Sequence, residues 1–146
     1  MRQRTPLSST DDADAFNELC AYTLGHGSPA FVHQHVVDAF AAQYASEQTK
    51  PVQLTFGLVG LYLHLERQFT GREVQLAHMK LASLSRTWPR FELPANRGDI
   101  TPALVMRSPP GAERDAAIDA WCNAVWTAYH GSHVTVLELL KQYRIV

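Results

Sequence analysis

Cysteine is scarce in this chain: Cys20 and Cys122 are the only two among 146 residues. Two thiols make no disulfide framework and no C-x-x-C pair, which excludes a stapled secreted scaffold. Long apolar runs are missing as well. Those present are broken by Gln, Thr, His and Glu, so no stretch reads as a membrane span. The first ten residues, MRQRTPLSST, lack the apolar core of a secretory signal and read as a flexible tail. These absences point to the cytoplasm and to residues 11–146 forming one domain, large enough to bury a core unaided.

Charge of one sign is also lacking, since the net charge is −1. No basic run interleaved with aromatics occurs, which excludes the nucleic-acid binding pattern. A mild asymmetry remains: residues 1–66 carry three basic and seven acidic side chains, and residues 67–107 carry seven basic and three acidic. The second block suits an anion or an acidic partner, or simply a solvated helix face. Sharp catalytic motifs are absent too: there is no H-E-x-x-H, Glu-x-x-His, G-x-S-x-G or P-loop. Period-two alternation appears nowhere, so no strand is expected.

What is present is helical periodicity and histidine, of which there are seven. The stretch PVQLTFGLVGLYLHLERQFTG, residues 51–71, is apolar in nearly every direction at about 100° per residue and predicts a central buried helix. Thr49 suits its cap, Pro51 its first turn and Gly71 its end. Only Gln53, Gly57, Gly60, His64 and Arg67 break the apolar surface. Two interior glycines cost roughly 1 kcal/mol each against alanine, so a neighbouring helix or a ligand is expected against that stripe.

About five helices in a bundle are expected. The first runs from Asp11 to Leu24. The second starts at Ser28 and Pro29, after the turn GHGSPA, and reaches Glu47, with His33, Val36, Val37, Phe40 and Tyr44 apolar and His35 and Asp38 nearly opposite. The central helix is third. The fourth spans Arg72 to Trp88, with Val74, Ala77, Leu81, Leu84 and Trp88 inward and His78 on the flank. A long Pro-rich crossover follows, with one short helix capped by Thr101 and begun by Pro102. The last helix runs from Ala112 to Tyr143, kinked near Gly131, with Trp126, Tyr129 and His133 on its buried face and His130 at the edge.

If sequential helices are antiparallel neighbours, counting 1.5 Å per residue brings Cys20, His33 or His35, His64 and His78 to one layer, which His133 or His130 can join. Imidazoles and a thiolate on facing helices are the donor set of a divalent transition metal, zinc or iron above all. Asp38, Glu66, Gln75 and Tyr129 are available to orient rings or hydrogen-bond around the site, and Arg67 beside His64 suits an anionic group. In such an enzyme the metal would activate water or oxygen. Two alternatives use the same residues: a metal-free homodimeric module whose histidines bond one another, Tyr62, Ser85 and Tyr129, or a small-molecule or haem pocket along Gly57 and Gly60.

The strings FVHQHVVDAFAAQ, LTFGLVGLYLHLERQFTGREVQLAHMKLA and WPRFELP resemble a family of small bacterial proteins built on a domain of unknown function, over residues 16–138. That resemblance implies a free-standing bacterial protein and supplies no activity. More loosely, the chain is similar to DinB-like metal-binding bundles, which combine an early histidine with a late H-x-x-x-H pair. It departs from them because His130-x-x-His133 is one residue short and His64 and His78 have no counterpart.

Overall fold

The computed structural model describes residues 10–25 and 30–146. Among the described residues are seven α-helices: α1 (Thr10–Gly25), α2 (His33–Gln43), α3 (Pro51–Arg67), α4 (Gly71–Leu84), α5 (Pro102–Met106), α6 (Ala112–Ala128) and α7 (His133–Gln142). A 3-10 turn at His130–Ser132 joins α6 to α7, and no strand occurs among the described residues. The chain is therefore all-α, as its periodicity predicts. Apart from Thr10, which opens α1, the expected tail lies outside the described residues, as do Ser28 and Pro29.

The central helix is α3, which packs on α2, α4, α6 and α7. Leu58, Val59, Leu61 and Leu63 have no exposed surface, so the helix is covered on several sides. Pro51 starts it, but Lys50 is the residue before it, and Thr49 instead accepts the Ser46 N–H at 2.9 Å within the preceding turn. Its end also differs from expectation. Gln68 takes the left-handed conformation, φ 56°, and the Phe69 N–H returns to the Leu63 carbonyl at 2.9 Å, the closure of a left-handed helix end. Gly71 opens α4 rather than closing α3. A Cβ there would lie 1.8 Å from the Phe31 carbonyl oxygen, so only glycine lets the start of α4 meet the entry to α2.

Thr70 and Glu73 form a reciprocal capping box at the start of α4. This helix ends at Leu84 rather than Trp88, because Ser85 turns extended and its hydroxyl donates to the Thr87 carbonyl at 2.6 Å. Leu84 is exposed. In the crossover, Thr101 caps α5 and Pro102 begins it, as the sequence predicts. The expected last helix is two: after Trp126 the i+4 bonds give way to i+3 bonds, and the chain re-enters a helix only at His133.

The largest correction concerns α2. Its buried face is His35, Val36, Asp38, Ala39, Ala42 and Gln43; of the expected inward residues only Val36 belongs to it, while His33, Val37, Phe40 and Tyr44 are half-buried. Because α2 is covered by α1, α3, α4 and α6, the side rich in small and polar residues is the one that fits closest to α3. The helix stops at Gln43 rather than Glu47, and the crossover is fastened to that end. The Arg97 guanidinium donates to the Gln43 carbonyl at 3.0 Å and to that of Ala45, supplying a cation where helix carbonyls are left over. Gln43 itself is fully buried: its amide donates to the Ile100 carbonyl at 2.7 Å and accepts from Trp121 Nε1 at 2.9 Å.

Replacing Gln43 by Leu leaves the Trp121 N–H and the Ile100 carbonyl without that partner in the core. The expected destabilisation in urea unfolding is about 2–3 kcal/mol, and a loss within measurement error would show that Gln43 does not tie the crossover to α6.

Candidate functional site

Helices α2 and α3 touch at the two glycines of α3. A Cβ on Gly57 would lie 3.1 Å from the Asp38 carbonyl oxygen, and one on Gly60 would lie 1.8 Å from Asp38 Oδ2. The Asp38 carboxyl thus occupies the space that any side chain at position 60 would need. One turn before Asp38 on the same face is His35, and one turn beyond Gly60 is His64. Their rings stack face to face, with centroids 3.6 Å apart and planes 13° from parallel. The His64 Nε2 hydrogen faces Asp119 Oδ1 on α6 at 3.2 Å. A carboxylate only accepts, so that nitrogen carries the proton and Nδ1 of a neutral ring keeps its lone pair.

These four residues form a column from solvent to core. The Asp119 side chain is 66% exposed and that of His64 19%, while His35 and Asp38 are buried. Burial sets their protonation. Desolvation, reinforced by the neighbouring His64 and opposed by Asp119, lowers the His35 pKa to about 3, so its ring is neutral. Complete burial pushes the Asp38 carboxyl well above the usual carboxylate range, against the single bond that Oδ1 accepts from Gln34 at 3.0 Å. His35 Nδ1 and Asp38 Oδ2 are buried without a hydrogen-bond partner. Beneath them the Cys122 thiol donates weakly to the His35 carbonyl at 3.7 Å, and desolvation first, then Asp119 and Asp38, raise its pKa.

The expected layer of ligands does not assemble as counted. Of its members only His35 and His64 meet. His78 stacks on Phe56 at 4.8 Å and donates from Nε2 to the Phe56 carbonyl at 2.9 Å, which is two helical turns from His64. His133 stacks on Trp126 at 3.6 Å and donates to its carbonyl at 2.7 Å. His33 Nδ1 is 3.2 Å from Thr23 Oγ1, His130 is exposed, and Cys20 is half-buried on α1 with its thiol pKa raised by burial.

The auxiliary residues divide likewise. Asp38 lies at the site. Glu66 accepts Trp126 Nε1 at 2.8 Å, Gln75 accepts Arg72 Nη1 at 2.9 Å, and the Tyr129 hydroxyl donates to the Ala42 carbonyl at 2.6 Å. Arg67 is exposed at the end of α3. Among the described residues, no group of three or more histidine, cysteine, aspartate or glutamate side chains is placed to hold a metal ion as it stands.

A family model covers residues 8–130, described as a family of unknown function (DUF5946). The chain belongs to that family. No curated protein and no solved structure matches it. The DUF5946 match contains the whole column, His35, Asp38, His64 and Asp119, together with Cys122 beneath it, and ends before His133. Sequence reasoning misses Asp119 as a site residue. Its only signal is a spacing of i, i+3 from Cys122, which puts both on one flank of α6.

The burial of Asp38 has a consequence for stability. Its folded pKa is raised, so its contribution is fully present below the unfolded value of about 3.9 and is lost as pH rises toward the folded value. His35 and His78, lowered to about 3 and about 4, act oppositely, losing stability as pH falls below about 6.5, and cancel when one variant is compared with wild type. Asp38→Asn, which keeps the shape without the titration, should therefore gain on wild type as pH rises, by up to about 1.4 kcal/mol per pH unit in metal-free protein. A difference independent of pH in urea unfolding would show that Asp38 is not held protonated.

Proposed function

We propose that this protein binds a divalent transition metal, zinc or iron, between α2 and α3. His35, Asp38 and His64 are the ligands, and Asp119 orients His64. The observation that carries this reading is the pair of buried atoms without partners, His35 Nδ1 and Asp38 Oδ2, one turn apart on α2 and beside His64. Buried polar atoms are almost always satisfied, and a carboxyl sealed in apolar surroundings is costly unless a cation or donor meets it. A metal ion would satisfy both atoms at once. The neutral state of His35 is the ligating state. The His64–Asp119 pair is the arrangement in which a second carboxylate fixes a ligand's tautomer and raises its basicity.

Two imidazoles and one carboxylate leave coordination positions open, as in metal sites that activate water or oxygen. Binding would turn the Asp38 and His64 side chains toward a common point. We read the setting as the bacterial cytoplasm: Cys20 and Cys122 are unpaired, and no helix among the described residues is long and apolar enough to cross a membrane.

The rival is a metal-free homodimeric module, favoured by the protein partners that His33, His78 and His133 already have and by Leu76 and Met79, 61% and 67% exposed on α4. Elemental analysis of freshly purified, untagged protein separates the two. The metal reading expects near-stoichiometric zinc or iron, lost in His35→Ala and His64→Ala and retained in His33→Ala and His133→Ala. Absence of metal in wild type, with no uptake under reducing conditions, would overturn it.

A further inference from the structure

On the opposite side of Asp38 from His64, a groove of about 440 Å³ runs along α2 and α3 beneath α4. Its walls are two aromatic pairs: Phe40 stacked on Tyr44 with centroids 4.5 Å apart, and Phe56 stacked on His78 at 4.8 Å with planes 7° from parallel. Gly57 and Ala41 line it between those pairs, and exposed Gln53 stands at its edge. No lysine, arginine or glutamate lines it. The one acidic residue, Asp38, has its carboxyl packed against Gly60 and bonded to Gln34, so it brings no exposed charge to the surface.

His78 gives this groove a direction. Its Nε2 faces a backbone carbonyl, which can only accept, so the proton is on Nε2 and Nδ1 is left as an acceptor with no partner among the described residues. Burial, which lowers the His78 pKa to about 4, keeps the ring in that neutral form. An aromatic lining, no exposed charge and a fixed acceptor at one side define a ligand.

We infer that the groove binds an uncharged, flat heteroaromatic ring, held between the two aromatic pairs and donating an N–H to His78 Nδ1. Pockets of this size, mostly apolar with a few placed polar groups, are the usual form of small-molecule sites. Of the residues proposed above to hold or orient a metal only Asp38 borders the groove, with its carboxyl against Gly60; the inference rests on His78 and the aromatic lining, which take no part in metal binding.

Benzimidazole is the probe: flat, uncharged near neutral pH and carrying one N–H donor. It should produce saturable shifts of the His78 ring resonances in NMR titrations of the full chain. N-methylbenzimidazole, which keeps the ring and loses the donor, should bind about tenfold more weakly, as expected for one lost hydrogen bond. Benzoate and benzamidinium, an anion and a cation of similar size, should show no saturable binding. His78→Phe, which preserves the stacked wall and removes the acceptor, should weaken benzimidazole to the level of its methylated form. Gln53→Trp, at an exposed position, should block the groove without disturbing the core. Absence of saturable shifts in wild type would overturn the inference. So would equal binding of the N-methyl or charged probes, or unchanged affinity in either variant.

Discussion

The close seating of α2 on the glycines of α3 governs this structure. The Asp38 carboxyl fills the space of a missing Cβ at Gly60, and the backbone of α2 passes over Gly57. This contact fixes the rotation of α2 about its own axis. With Asp38 inward, His35 is carried onto His64, and Gln43 is carried two turns further along to meet Trp121 and the crossover. The crossover is then held at the end of α2 by Arg97. Helix propensity is given up at two positions, at roughly 1 kcal/mol each, to permit this approach.

Burial alone does not distinguish one histidine from another here. His33, His78 and His133 each have a ring nitrogen engaged by a hydroxyl or a backbone carbonyl, and the last two also lie flat on an aromatic ring. Those contacts tie one nitrogen of each ring into the fold, away from His64. His35 and His64 instead lie on each other, and the bond that His64 makes is to a carboxylate at the surface. A graded column results, exposed at its outer end and neutral at its inner end, with the inner two groups retaining unused hydrogen-bonding capacity. That combination, rather than the number of histidines, marks the α2–α3 contact as a place for chemistry.

Much of the architecture is legible in the sequence. The all-round apolar pattern of residues 51–67 identifies the central helix, and the absence of period-two alternation identifies the fold class. Thr101 and Pro102 announce α5 by cap chemistry alone. The stripe of Gly57, Gly60 and His64 also marks where something presses on the central helix. What it does not reveal is which face of α2 presses. Hydrophobic periodicity favours Val37, Phe40 and Tyr44, whereas the face that fits against glycine is built from Asp38, Ala39 and Ala42, where small size matters more than apolarity. Counting residues along antiparallel helices likewise assumes flush ends. The His78 bond to the Phe56 carbonyl shows α4 displaced along α3, and so His78 faces the groove instead of His64. Asp119 is invisible because its pairing is set by how α6 docks on α3, which no local pattern encodes.

The central claim is that His35 and His64 act together on one metal ion, which His33, His78 and His133 do not join. The most direct measurement is the imidazole nitrogen spectrum of the full chain, assigned by single-histidine substitution and followed as zinc is added under reducing conditions. The account predicts that the His35 and His64 ring nitrogens move in step to saturation at one equivalent, while those of His33, His78 and His133 stay in place. Shifts confined to His78 or His133, or no saturable shift at His35 and His64, would contradict it.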